Sequence, residues 1–174
     1  MIGSSCAGKS TLADSIAKKM GITHVELDSL FWEPGWKEAA TPVFRARVQE
    51  AIAGDAWVVD GNYTSRVQDL LWPRAELIIW LDPPLRTILT RFLRRSFTRA
   101  WRGEVLWDGC RESLRNSIFK RNSLLIWILT THRSQRARYL AAVQAGNYPG
   151  IKFLVLRGDG AVASFLSKLR PSSL

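Results

Sequence analysis

The chain has 174 residues, of which 47% are apolar and 23% charged, with two cysteines and a formal net charge of +10. This length suits one domain, and the composition argues against a disordered or fibrous protein. Two cysteines without metal-ligand spacing argue against a disulfide framework and a zinc site, so we expect a reduced, cytoplasmic protein. The longest apolar run, Leu124 to Leu129, has six residues, whereas a membrane-spanning helix needs about 20. With no signal-peptide pattern at the start, no membrane partner is expected.

The positive charge is concentrated in one segment. Between Arg86 and Arg138 there are 13 Lys or Arg residues and three acidic ones, while the rest of the chain has 12 of each. A local basic excess indicates an anionic partner, and nucleotide phosphates and nucleic acid both qualify. A solvated helix face is the plain alternative.

The first half of the chain predicts a helix after residue 11, with Leu12, Ile16 and Met20 at four-residue spacing and Gly21 as its C-cap. A short strand is predicted at 24–28 and a loop at 31–36. A second helix is predicted with Thr41 as N-cap and Pro42 in its first turn; it carries Val43, Val48 and Ile52 inward and ends at Gly54. Residues 57–60 form a compact apolar strand, and a turn follows it.

The second half repeats the alternation of strand and helix. A strand is predicted at 77–82, and a helix follows Pro84 with an apolar stripe that includes Phe92 and Leu93. Residues 97–110 are predicted to be irregular. A long helical region is predicted at about 111–145, a strand at 153–156 and a helix at 161–169. Short apolar strands alternating with longer helices predict an α/β fold with a parallel sheet.

One motif carries the chemistry. It is an eight-residue stretch that matches the Walker A pattern in full: Gly3, Ser4, Ser5, Cys6, Ala7, Gly8, Lys9 and Ser10. Small residues and glycines let consecutive backbone N–H groups curl around phosphate oxygens, and the following helix turns its positive dipole end towards them. Lys9 can then reach the β- and γ-phosphates, Ser10 can offer a hydroxyl to Mg²⁺, and Thr11 completes the loop.

The motif is typically preceded by a buried strand, and here only Met1 and Ile2 stand before it. We therefore expect the true start of the protein to lie several residues upstream, with the first strand truncated in this sequence.

Carboxylates at the ends of predicted strands are the candidates for holding Mg²⁺ waters, because these ends lie on the same sheet edge as the loop. Asp60 is the first choice, since residues 57–60 form a Walker B-like strand. Asp28 and Asp82 also fit, although each could equally be a turn or capping residue.

Arginines flank the stretch 97–110. Arg91 and Arg95 lie four apart on one helix face, and Arg136 follows in a later helical segment. Arginines on both sides of this stretch predict a lid that closes over phosphates. There their positive charge would neutralise the phosphates and assist phosphoryl transfer. His24 and His132 are isolated in the sequence and predict neither a triad nor a metal cluster. Trp32 and Trp36 are candidates for the wall of an acceptor pocket.

These residues resemble the adenylate kinase-related P-loop kinases, in particular the bacterial group labelled topology modulation protein. The resemblance covers nearly the whole chain and rests on 3–11, on Leu27-Asp28-Ser29-Leu30-Phe31-Trp32, on Asp60-Gly61-Asn62-Tyr63 and on the arginine-rich middle. It implies a P-loop NTPase three-layer sandwich like that of nucleoside monophosphate kinases, with a five-stranded parallel sheet, flanking helices and a short lid.

The resemblance also implies site residues. Arg91 and Arg95 fall where the family has lid-base arginines, Arg136 or Arg138 where it has later phosphate-binding arginines, and Gly158 in the turn that lies against adenine. Adenylate kinases continue the Asp-Gly turn into Phe-Pro-Arg, whose arginine holds the acceptor phosphate. Here Asn62-Tyr63-Thr64 replaces it, and Arg66 is the nearest arginine, so an AMP acceptor does not carry over.

The leading prediction is a single-domain, Mg²⁺-dependent ATP-binding kinase. Lys9 and the arginines Arg91, Arg95 and Arg136 would stabilise the transferring phosphoryl group, and Asp28 would orient or deprotonate the hydroxyl of a small phosphoacceptor. The alternative is an ATP-responsive nucleic-acid-binding regulator that uses the basic segment and has no small-molecule kinase activity. An inactive relative with a truncated first strand is a third possibility.

Overall fold

The computed structural model of the chain describes residues 1–102, 123–144 and 150–170. The strands are β1 (Ile2–Gly3), β2 (Thr23–Glu26), β3 (Trp32–Glu33), β4 (Lys37–Glu38), β5 (Trp57–Asp60), β6 (Leu77–Leu81) and β7 (Lys152–Leu156). The helices are α1 (Lys9–Met20), α2 (Leu27–Phe31), α3 (Thr41–Ala51), α4 (Thr64–Leu71), α5 (Leu85–Arg102), α6 (Leu124–Gln144) and α7 (Asp159–Lys168), with a 3₁₀ turn at Trp72–Arg74. No helix of these ranges combines the length and apolar content needed to cross a membrane.

The fold is α/β, with a small parallel sheet in the order β1-β6-β7 flanked by helices. Ile2 pairs with Trp80 at one side of β6, and Ile78 pairs with Phe153 at the other. Strands β2 and β5 form a second parallel ladder, with Glu26 opposite Asp60. The amino group of Met1 donates a hydrogen bond to the Val59 carbonyl and so links the two ladders.

Alternate residues of β6 belong to two different cores, as expected for a strand that is covered on both faces. Ile79 and Leu81 pack in the cluster that holds Leu12 and Ile16 of α1. Ile78 and Trp80 pack with Trp72 and Tyr139 on the opposite face. A further cluster joins β2 and β5 to α3 and α4, and another joins α5 to α6 through Ile88, Phe92 and Ile128.

A cavity of about 440 Å³ separates the two ladders on the amino-terminal side of Met1. It is lined by β5, by β6 and by apolar side chains that include Ile22, Leu71 and Phe165. This space is partly open to solvent and lies between β5 and β6, which do not pair with each other.

Most predicted elements are confirmed within the described residues. Residues 57–60 form β5 with the predicted bounds, and Gly21 caps α1 in the left-handed conformation, with its N–H donating to the Ala17 carbonyl. The helix at 161–169 is α7, whose Val162, Phe165, Leu166 and Leu169 pack against the sheet as predicted. All five predicted parallel strands exist, but they form two ladders rather than one continuous sheet.

Three predicted elements are wrong in detail. Strand β2 ends at Glu26, so Asp28 lies on the short helix α2 rather than at a strand end. The predicted loop at 31–36 contains part of an antiparallel hairpin, β3–β4. Residues 97–102 continue α5 instead of being irregular; residues 103–110 of the predicted lid lie outside the described residues, as do 111–122 and 145 of the long helical region.

The apolar side chains Val43 and Leu93, predicted to face inward, are 44% and 52% exposed. In α3 it is Phe44, one residue further on, that is fully buried, because it lies four residues before Val48 and eight before Ile52 on the same helix face.

Candidate functional site

The loop between β1 and α1 takes a conformation that depends on its glycines. Gly3 has a φ of +143°, and a Cβ there would lie 2.5 Å from the Leu81 carbonyl oxygen of β6, so a side chain cannot fit. Gly8 precedes α1 in the left-handed conformation, and Cys6 also has a positive φ of 59°. The Ala7 N–H donates to the Ser4 carbonyl at 3.2 Å, and this closes the turn that includes Ser5.

Helix α1 begins at Lys9 without a side-chain cap and without an acidic residue in its first turn. The free N–H groups and the positive end of the helix dipole therefore face the mouth of the loop, which favours an anion there. Ser10 and Thr11 are exposed in this first turn.

Lys9 lies over the loop. Its Nζ donates hydrogen bonds of 3.0 Å to the carbonyls of Gly3 and Ser4. Loss of hydration lowers the pKa of Lys9, while the charges of Asp28 and Asp60 oppose that shift and Arg95 adds to it. The amino group is thus desolvated, and both carboxylates and a guanidinium lie close enough to influence it.

Ser10, Asp60 and His24 form a connected set at the end of the loop. Ser10 Oγ donates to Asp60 Oδ2 at 2.6 Å, and His24 Nε2 lies 2.9 Å from Asp60 Oδ1. Asp60 is only 3% exposed. It reaches the loop because β5 ends at this edge, and the pairing of β2 with β5 brings His24 beside it.

The donors of this set suit Mg²⁺, which takes hard oxygen ligands and keeps several waters. Ser10 would supply a direct ligand, and Asp60 would hold metal-bound water. The described residues contain no group of three or more His, Cys, Asp or Glu side chains that could enclose a metal. A cation at this place would therefore depend on phosphate and water oxygens for its remaining ligands.

Asp82, the third carboxylate considered for Mg²⁺, is engaged elsewhere. It is 8% exposed and accepts hydrogen bonds from Arg136 Nε at 3.0 and 3.1 Å and from Arg157 Nε at 3.2 Å. Both guanidinium groups keep further N–H donors beyond this carboxylate. Asp82 thus orients two arginines at the sheet edge next to the loop.

The two arginines of α5 approach the loop differently. Arg91 donates to the Ala7 carbonyl at 2.6 Å and forms an ion pair with Asp159, the residue after Gly158. Gly158 precedes α7 with a φ of +86°, so this ion pair joins its turn to the loop between β1 and α1. Arg95 is close enough to influence Lys9 electrostatically, and its Nε is buried without a hydrogen-bond partner in the described part of the chain.

Asp28 of α2 contacts Tyr63, which follows β5. The Tyr63 hydroxyl donates to Asp28 Oδ1 at 2.5 Å. Burial, with the charge of Asp28 as the second cause, raises the pKa of Tyr63 well above its ordinary value, so the phenol stays protonated. Trp32 and Trp36 lie edge to face nearby in the sequence, with ring centroids 5.6 Å apart.

Four residues of this site were not predicted as site residues: His24, Tyr63, His132 and Arg157. The two histidines are isolated in sequence, yet His24 bonds Asp60 and His132 Nδ1 lies 3.0 Å from Ser4 Oγ. Their partners are 36 and 128 residues away, so no local pattern signals them.

Comparison of the chain with protein-family models gives no match, and no curated protein matches it significantly either.

Proposed function

We propose that this protein is an ATP-dependent, Mg²⁺-dependent phosphotransferase of the P-loop class, related in fold to the nucleoside monophosphate kinases. The observation that carries the proposal is the convergence of four groups at the start of α1. They are the Lys9 amino group, the Ser10 hydroxyl, the buried Asp60 carboxylate and the unpartnered Nε of Arg95.

Each group has a task that phosphoryl transfer requires. The loop N–H groups and Lys9 would hold the phosphates of ATP, and Ser10 and Asp60 would hold Mg²⁺ directly and through water. Arg95, Arg91 and Arg136 would neutralise charge on the transferring group, because positioning and charge neutralisation supply most of the catalysis in such reactions. The Gly158 turn, tied to the loop by Arg91 and Asp159, would lie beside the base of ATP.

The buried Nε of Arg95, which has no hydrogen-bond partner in the described part of the chain, favours the state in which the loop holds an anion. A buried N–H without an acceptor costs free energy, and a phosphate oxygen would satisfy it. Among the described residues, Lys9 likewise bonds carbonyls of its own loop, and a phosphate is a stronger acceptor because it is charged.

The test is release of ADP from Mg·ATP in the presence of a panel of nucleosides, nucleoside monophosphates and other small hydroxyl compounds. Lys9→Ala serves as the blank, and Lys18→Ala, a change at an exposed lysine of the same helix, serves as the matched control. We expect acceptor-dependent release by the natural chain and the control, and none by the blank. Release that is equal in all three would contradict the proposal.

A further inference from the structure

Helix α2, which follows strand β2, carries the carboxylate of Asp28. Asp28 lies two residues after Glu26, which pairs with Asp60 across the β2–β5 ladder, and Asp60 accepts a hydrogen bond from Ser10 at the start of α1. The charge of Asp28 also acts on Lys9, so this carboxylate lies at the end of the loop where Lys9 would meet the γ-phosphate. Tyr63 fixes its Oδ1 by a hydrogen bond of 2.5 Å. The other oxygen, Oδ2, has no hydrogen bond within the described residues and can accept one from a ligand.

The arginines between Leu27 and Leu71 are all paired with carboxylates. Arg45 forms a two-point pair with Asp69 at 2.8 and 2.6 Å. Arg47 pairs with Glu33 at 3.2 Å, and Arg66 pairs with Glu38 at 2.8 Å while lying over the Phe31 ring. These pairs engage all three arginines of the segment, and its one lysine, Lys37, is exposed on β4. None of the three arginines pairs with Asp28.

The groups around Lys9 have the reverse character. Among the described residues, Arg95 Nε is buried without a hydrogen-bond partner, and Lys9 Nζ donates its hydrogen bonds to main-chain carbonyls. A dianionic phosphate is therefore favoured on the Lys9–Arg95 side. On the Asp28 side a second phosphate monoester, with a charge of about −1.5 to −2, would meet a like charge and no unpaired arginine among residues 27–71.

We infer that the phosphoacceptor is a neutral hydroxyl compound, of the nucleoside or sugar type, and not a phosphate monoester. This inference rests on the phosphotransferase function proposed above. The free Asp28 oxygen accepts the acceptor's hydroxyl proton, and the Trp32 and Trp36 rings offer an apolar surface for a base or a sugar face.

The transfer step balances with these groups. The acceptor oxygen attacks the γ-phosphorus of ATP, and a new P–O bond forms. The bond from that phosphorus to the β–γ bridging oxygen breaks, and ADP leaves with the electron pair. The hydroxyl proton passes to Asp28 Oδ2 and from there to water. Tyr63 is a positioning residue, because it holds Asp28 by the other oxygen and, as a protonated phenol, cannot itself take the proton.

The experiment compares each neutral acceptor with its own phosphate monoester, using γ-labelled Mg·ATP and identification of the labelled product by mass. Nucleosides and free sugars form separate arms. We expect labelled product from neutral acceptors and none from the monoesters. Asp28→Asn should lower kcat about 100-fold or more while the affinity for ATP, measured by calorimetry, stays unchanged. Tyr63→Phe should lower kcat less and shift its pH profile.

The outcomes separate the two proposals. Lys9-dependent transfer to monoesters in preference to their neutral counterparts would overturn the acceptor inference and leave the kinase function standing. Absence of Lys9-dependent transfer to any acceptor would overturn both. If Asp28→Asn failed to fold, as judged by circular dichroism, the acceptor panel on the unaltered chain would still decide the question.

Discussion

Ser10 Oγ donates a hydrogen bond of 2.6 Å to the buried carboxylate of Asp60, 50 residues further along the chain. This contact joins the first turn of α1 to the end of β5. It places a hydroxyl and a carboxylate at the point where a phosphate-bound Mg²⁺ would lie.

The first prediction concerns this pair. Asp60→Asn should raise the Mg²⁺ concentration needed for half-maximal stimulation of ATP binding by about 10- to 100-fold, the range expected for groups that act on a metal through its ligands. The measurement is a Mg²⁺ titration of ATP affinity. Asp55→Asn, a change at an exposed carboxylate just before the same strand, is the control and should leave the titration unaltered. Identical titrations for both variants would argue against a metal at Asp60.

Replacing Arg95 should affect the free energy of unfolding and the binding of Mg·ATP in different ways. Arg95→Met removes a buried N–H that lacks a partner, so the free energy of unfolding without ligand should stay constant or rise by about 1 kcal/mol. The same change should weaken Mg·ATP binding at least tenfold, because a phosphate contact is lost. Thermal unfolding with and without Mg·ATP measures both, and Arg94→Met, at an exposed neighbour, is the control. A loss of stability without a loss of binding would mean that Arg95 is structural.

Tyr63 predicts a stability change at alkaline pH. Its pKa is raised in the folded chain, so above about pH 10 the unfolded state releases a proton that the native state keeps. The unfolded state then binds fewer protons, and the free energy of unfolding falls as the pH rises. In Tyr63→Phe the slope of the free energy of unfolding against pH should be less steep, by an amount equivalent to the release of up to one proton on unfolding. Tyr139, whose pKa is also raised, should keep part of the slope in that variant; equal slopes in both proteins would contradict the assignment.

The cavity between β5 and β6 predicts that added extended chain stabilises the fold. Ile2 pairs with Trp80, so residues joined ahead of Met1 would continue β1 alongside Ile78 and Leu77 and fill the space. An extension of four β-branched residues should raise the Tm by roughly 5 °C or more, as measured by calorimetry. A Gly/Asp extension of the same length is the control, and an equal Tm for both would show that no strand enters the cavity.

Sequence patterns predicted the parts of the fold that depend on continuous local signals. The apolar run at 57–60 predicted both bounds of β5, and Gly21 predicted the end of α1. The hairpin β3–β4 escaped prediction because strands of two residues are too short to show a period of two. Helix α2 escaped because five residues carry barely more than one helical turn.

In the candidate site, too, the residues that are contiguous in sequence were predictable and those brought together by the fold were not. The Walker A loop is contiguous, so its residues were predictable from spacing alone. Tyr63 and His24 reach Asp28 and Asp60 across 35 and 36 residues, and only the pairing of β2 with β5 brings them there. Asp82 followed a strand as predicted, but its arginine partners come from α6 and from the residue after β7, which no local pattern reveals.

Calorimetric titration of Mg·ATP shows whether the loop around Lys9 binds this nucleotide. We expect saturable binding to the natural chain and to Lys18→Ala with the same Kd, and binding at least 100-fold weaker to Lys9→Ala. An unchanged Kd in Lys9→Ala would contradict binding at this loop.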